Sequence, residues 1–234
     1  MTSNLIVLGV TWFVVFLFST TLHEAGHALA AYRLGDATAY HGGQVSLSPL
    51  PHIRRAPIGM VVIPLLTFMM SRGGWMMGWA NAPYDPLWAH RHPRRAAVMA
   101  LAGPAANLLL TVLAGLAIKA GLAAGVYQVP AEISLTAVTA ATGHGLAAAA
   151  VTPLSILFSL NLILFVFNLL PLPPLDGSTA IALLMPADLA RRYQMFLYQP
   201  MFSFLGLFVA WQIFNPLLRP VLFFAWGLLY PGIG

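Results

Sequence analysis

Five consecutive residues, His23-Glu24-Ala25-Gly26-His27, carry the clearest chemical signal in the chain. On a helix, residues four apart share one face, with Cβ atoms roughly 5–6 Å apart. Two imidazoles so placed can both reach one Zn²⁺ at about 2.0–2.1 Å. The glutamate beside the first histidine then lies next to a water on the metal and can take its proton. The metal makes that transfer feasible by lowering the water's pKa from about 15.7 to about 7. A solvated helix can carry this spacing by accident. Here the motif sits in an apolar run, where each ionisable side chain costs roughly 2.5–3.5 kcal/mol or more and marks function. A purely structural metal site would leave Glu24 without a role.

Catalytic zinc takes three protein ligands and keeps a fourth position open. The third donor must come from elsewhere: His41, His52, His90, His92, His144, Asp36, Asp85, Glu132, Asp176 or Asp188. Asp176 follows an apolar run at a depth similar to that of the histidines. A Pro-rich stretch precedes it, and Gly177 allows close approach. Its competing role is to cap a short helix that begins with Gly177-Ser178-Thr179-Ala180. Spacing favours the ligand role and leaves the cap open.

These residues must be held by elements that live in lipid. Hydrophobic residues make up 59% of the chain and charged residues 7%, against about a quarter charged in soluble proteins. So few charges cannot clothe a water-facing surface, so an all-α polytopic membrane protein is expected. The absence of cysteine excludes disulfides and thiolate metal sites. The net charge of +5 is carried almost wholly by arginine. It reads as a topology signal, with no nucleic-acid partner.

Residues 5–32 form a first apolar run, roughly 40 Å long as a helix at ~1.5 Å per residue. It reads as a retained membrane helix and not a signal peptide, since no basic region precedes it and no small-residue cleavage site follows. Residues 44–48 alternate with period two, as a half-exposed strand would. Residues 58–70 are apolar but short, fit for a re-entrant, interfacial or thin spanning segment. Residues 71–95 read as a loop, 96–120 as a second long run and 153–170 as a third. Residues 121–152 fit a loop or an extra helix equally. Pro171 to Leu175 should be extended. Residues 196–214 and 217–229 read as two runs broken at Asn215-Pro216. The expected total is five or six membrane segments and a small β element between the first two long helices. They form a single domain over residues 1–234, with a catalytic core at about 5–185 and C-terminal helices at about 196–230.

Arg33, Arg54, Arg55, Arg72, Arg91, Arg94 and Arg95 all lie between the first two long runs. If residues 58–70 do not cross, the positive-inside rule makes that side cytoplasmic. Arg191 and Arg192 return to it, whereas Arg219 fits neither side. His23, His27 and Asp176 then lie near the cytoplasmic end of their helices, in a multi-pass protein of the cell membrane.

With these residues in view, the chain resembles the site-2 protease family of intramembrane metalloproteases. The resemblance rests on His23-Glu24-Ala25-Gly26-His27 and on Asn168-Leu169-Leu170-Pro171 leading into Leu175-Asp176-Gly177. A third element is Gly103-Pro104-Ala105-Ala106-Asn107. It covers roughly residues 15–185 and points to a compact prokaryotic branch. There is no PDZ or CBS domain within the 234 residues, and Asn81 stands where many relatives have Lys. The resemblance implies one Zn²⁺ per chain, held by His23, His27 and Asp176, with Glu24 as the catalytic base. It implies Asn168 beside the active site, supporting substrate or transition state; Asn107 is a weaker candidate for the same role, against a simple helix–helix bond. The activity implied is hydrolysis of peptide bonds in transmembrane or membrane-adjacent segments of a membrane protein substrate. A period-two segment at residues 44–48 would receive that substrate by strand addition. A catalytically silent zinc-binding scaffold is the alternative, and an intact Glu24 argues against it. A metal transporter would need more acidic or His residues along the apolar segments. Substrate identity and oligomeric state are not legible.

Overall fold

The computed structural model describes residues 2–197 and 199–232; Met1, Tyr198, Ile233 and Gly234 fall outside. The first apolar run forms one helix, α1 (Thr2–Leu34), free of proline and so continuous past the His-Glu motif. It stops where Gly35 takes φ +103°, the left-handed conformation that glycine adopts without a Cβ penalty. Asp36 N–H then donates back to Ala31 O at 2.9 Å. The Asp36 carboxylate accepts from Thr38 and from Asp85 N–H, tying the exit of α1 to a distant loop.

Two further long helices pack on α1. The second, α6, is Pro93–Ala123 and the third, α7, is Leu146–Asn168. Between α1 and α6 lie the short helices α2 (Thr38–His41), α3 (Pro49–Arg55), α4 (Ile63–Met70) and α5 (Pro86–Arg91). A π-helical turn at Ile58–Val62 leads into α4. The segment Ile58–Met70 is bent by 113° from α3, the geometry of a broken span or a re-entrant loop. Beyond α7 come α8 (Asp176–Ala180), α9 (Ala187–Leu197) and α10 (Pro200–Leu229). Among the described residues, α1, α6, α7 and α10 are long and apolar enough to cross a membrane, and the bent pair raises the count to at most five.

Four expectations need correction. Residues 44–48 form bends and no strand. Other contacts hold the segment: Gln44 Nε2 donates to Asn81 O at 3.1 Å, His52 Nε2 meets Ser46 O at 3.2 Å, and Ser48 caps α3. Period two marks a half-buried face but cannot supply a partner strand. The β element among the described residues lies instead between α6 and α7, where Tyr127–Gln128 pairs antiparallel with Ala140–Ala141. The Asn215-Pro216 break is absent: α10 runs through Pro216 and Pro220, since a missing N–H is tolerated in a membrane helix. The two C-terminal runs are thus one span. Pro171 to Leu175 is a compact series of bends and turns, closed by Leu175 N–H to Leu172 O at 2.9 Å. The stretch expected to be all loop at residues 71–95 holds α5, capped by Asp85, and the start of α6.

The core has two halves. Trp12, Val15 and Phe16 of α1 pack against Phe68, Met76, Ile156 and Leu160. Ala114 and Ile118 of α6 pack with Phe158, Leu162 and the end of α10. The two halves share α7, so α1, α6 and α7 pack as one frame. Gly26 sets the spacing of the first two: a Cβ there would lie 2.9 Å from Ala102 O.

Candidate metal centre

His23 and His27 project from one face of α1 toward α6, and both are buried. The facing stripe of α6 is Met99, Gly103 and Asn107, again four residues apart. His23 Nδ1 lies 2.6 Å from Asn107 Oδ1, and His27 Nδ1 lies 2.8 Å from the Met99 carbonyl. A carbonyl oxygen only accepts, so each Nδ1 carries the proton and each Nε2 presents a lone pair. Pro104 cannot donate to Ala100 O, so the α6 ladder is interrupted close to the carbonyl that His27 uses.

Asp176 completes the group. It is the first residue of α8 and not its cap; the capping position is Leu175, which makes no side-chain cap. Gly177 sits so close to the preceding turn that a Cβ would lie 2.2 Å from Leu169 O. That approach carries Asp176 Oδ2 to 3.2 Å from His23 Nε2 and Oδ1 to 3.3 Å from His27 Nε2. The two Nε2 atoms are 3.0 Å apart.

The three donors fit one metal ion, with ligand atoms that all lie within 4.8 Å of one another. A tetrahedral ion with ligands at about 2.0–2.1 Å separates them by roughly 3.3 Å, close to the spacings observed. Lone pairs converging without a proton between them call for a cation. Space is reserved beside them: a Cβ on Gly103 would lie 2.3 Å from His27 Nε2 and 2.6 Å from His23 Nε2. Glu24 is 5% exposed, and its Oε2 makes no hydrogen bond to the protein, which leaves that oxygen available to accept from a water.

The model of peptidase family M50 matches residues 11–208. The chain belongs to this family, the site-2 protease family. It is 33% identical over 214 residues to "Putative zinc metalloprotease YwhC" of Bacillus subtilis (strain 168), covering 86% of this chain and 84% of that one. It is 30% identical over 169 residues to "Putative zinc metalloprotease Rip2" of Mycolicibacterium smegmatis. The Rip2 protein of Mycobacterium tuberculosis (strain ATCC 25618 / H37Rv) is 32% identical over 166 residues. Each of these two matches covers 71% of this chain and 54% of the relative, so the chain spans about half of their length. No solved structure gives a significant match.

Within this M50 chain the remaining candidates divide. Asn107 is fully buried and bonds His23, so it supports the ring from behind. Asn168 Nδ2 donates to Leu164 O at 3.0 Å within its own helix, leaving one N–H free of that bond. His52 is fully buried but ties Ser46 and Gln44 together away from the metal group. His41, Glu132 and His144 are exposed. Asp36 and Asp85 serve the loop network, and Asp188 pairs with Arg191. Gly103 was named within the Gly103-to-Asn107 element, whereas Met99 was not anticipated, because a backbone acceptor leaves no residue-type signature.

Proposed function

We propose that the chain is an intramembrane zinc metalloprotease cutting transmembrane or membrane-adjacent segments of membrane proteins. The observation that carries this is a His-His-Asp group with both outer ring nitrogens engaged, beside a buried, unpartnered Glu24 oxygen. Family membership and relatives named as zinc metalloproteases support the same reading.

His23, His27 and Asp176 would hold the zinc. When bound, zinc polarises the scissile carbonyl and acidifies the attacking water. Glu24 accepts a proton from that water as oxygen bonds to the carbonyl carbon. It returns the proton to the leaving nitrogen as the C–N bond breaks. The free N–H of Asn168 is proposed to steady the substrate or the developing oxyanion. A substrate helix hides its carbonyls in internal hydrogen bonds, so the segment must unwind before attack. The orientation proposed puts the centre nearer the cytoplasmic face, because Arg33 closes α1 and Arg94 and Arg95 open α6. From His27 to the end of α1 is about 10 Å at ~1.5 Å per residue, a short path for water.

The test measures zinc content and cleavage of a helical membrane substrate together in detergent. Glu24→Gln keeps one zinc per chain and loses about 10²–10⁴-fold in cleavage, the usual contribution of a positioned base. Asp176→Ala loses zinc and cleavage together. Wild-type protein that binds zinc, cuts nothing and is unchanged by Glu24→Gln is a scaffold instead.

A further inference from the structure

We infer that Asn161, which touches neither the metal group nor a substrate, is a positioning residue that fixes the protonation pattern of His23 through Asn107. The inference rests on the zinc reading of the site. Asn161 is fully buried on α7. Its Nδ2 lies 2.8 Å from Leu157 O and 2.8 Å from Ser19 Oγ. The Leu157 carbonyl can only accept, so the atom facing it must be the amide nitrogen, and the orientation of Asn161 is set. Its Oδ1 then faces Asn107 Nδ2 at 2.8 Å and accepts from it. That turns Asn107 Oδ1 toward His23 Nδ1 at 2.6 Å, so Nδ1 must donate and Nε2 must offer its lone pair. Turn Asn161 over, and Asn107 would present N–H groups to His23, favouring the tautomer that cannot bind metal on Nε2.

The two histidines therefore differ. His27 is fixed by a backbone carbonyl, which no side-chain substitution removes. His23 is fixed by a relay of two side-chain amides that spans α1, α6 and α7. The relay ends on Ser19, one turn before His23 on α1. Such outer partners typically carry about 10–100-fold in metal affinity.

The test uses full-length protein in detergent. The ¹⁵N shifts of His23 are read without metal, and zinc affinity by competition with a chromogenic chelator. Wild type shows His23 protonated on Nδ1. Asn161→Leu gives a mixture of tautomers and weakens zinc by about 10–100-fold. Adding Asn107→Asp restores both, because a carboxylate accepts from His23 whichever way it turns. A loss of packing alone would not be rescued in this way. Ser19→Ala changes neither readout, since Leu157 O alone still orients Asn161. If Asn161→Leu does not fold, Asn161→Ser carries the same expectations. The inference is overturned if the Asn161 variant keeps the wild-type tautomer and affinity, or if Asn107→Asp fails to rescue it. Because the tautomer is read without metal or substrate, a chain with Nδ1-protonated His23 that binds no zinc would sink the zinc reading alone.

Discussion

The metal group is built from two sides that differ in how they are held. The histidine side lies between α1 and α6, braced by α7, with small residues in contact across the interface. The aspartate side is a turn-rich loop after α7 that leads into the short helix α8; α8 packs on α6, and the loop itself is backed by α10. That helix is mostly exposed to its surroundings, with 17% of its most apolar window buried against 50% for α6. Its contact with the loop passes through Gly206, where a Cβ would lie 2.0 Å from Pro173 O. Leu170, Leu175 and Ala210 add a small apolar cluster. A donor in the middle of a long packed helix is placed by many neighbours at once, whereas Asp176, at the first residue of a five-residue helix, also depends on the few residues that let the preceding loop close. Glycines mark the decisive approach on both sides, so the same substitution probes each.

Gly103→Ala should have the largest effect. Its Cβ enters the space beside both Nε2 atoms, and α6 cannot retreat from α1 and α7. Zinc affinity should fall by more than the roughly 10–100-fold that an outer partner carries, with helical content by circular dichroism unchanged. A variant that binds zinc normally would show that the histidine side is softer than its packing implies.

Gly177→Ala comes next. The added Cβ meets Leu169 O, and the loop must move to relieve it. We expect a destabilisation of about 1–3 kcal/mol, as overpacking typically costs, and a smaller loss of zinc than for Gly103→Ala. Thermal unfolding followed with and without zinc checks both parts.

Gly206→Ala should be mildest. α10 can slide outward into lipid, so zinc content should stay at one per chain while cleavage falls a few-fold. Loss of zinc here would mean that α10 fixes Asp176 as firmly as α6 fixes the histidines. Asn168→Ala separates a contact to substrate from a bond within α7. A fall in kcat of about 10²-fold or more fits oxyanion support, and an unchanged kcat limits Asn168 to its bond with Leu164.

Much of this arrangement was legible beforehand. His23-Glu24-x-x-His27 in an apolar run needs only helix geometry to present two imidazoles together. Composition required lipid, because so few charges cannot solvate a surface. Two of the misreadings have separate physical causes. Alternation at residues 44–48 describes a face, but a strand exists only where another backbone can pair with it. Asn215-Pro216 would break a soluble helix, but α10 continues because its other peptide groups have no better partner in lipid.

The residues themselves determined the chemistry that was possible: two imidazoles at helical spacing, a glutamate beside them, and a carboxylate that a glycine could bring close. The Leu175-Asp176-Gly177 motif already pointed to the carboxylate; only the tertiary structure decided which nitrogen of each histidine ring faces it. Both rings depend on what lies opposite in space, an α6 carbonyl for His27 and an asparagine relay for His23. A residue's own type and spacing cannot specify the acceptor it will meet across a helix interface.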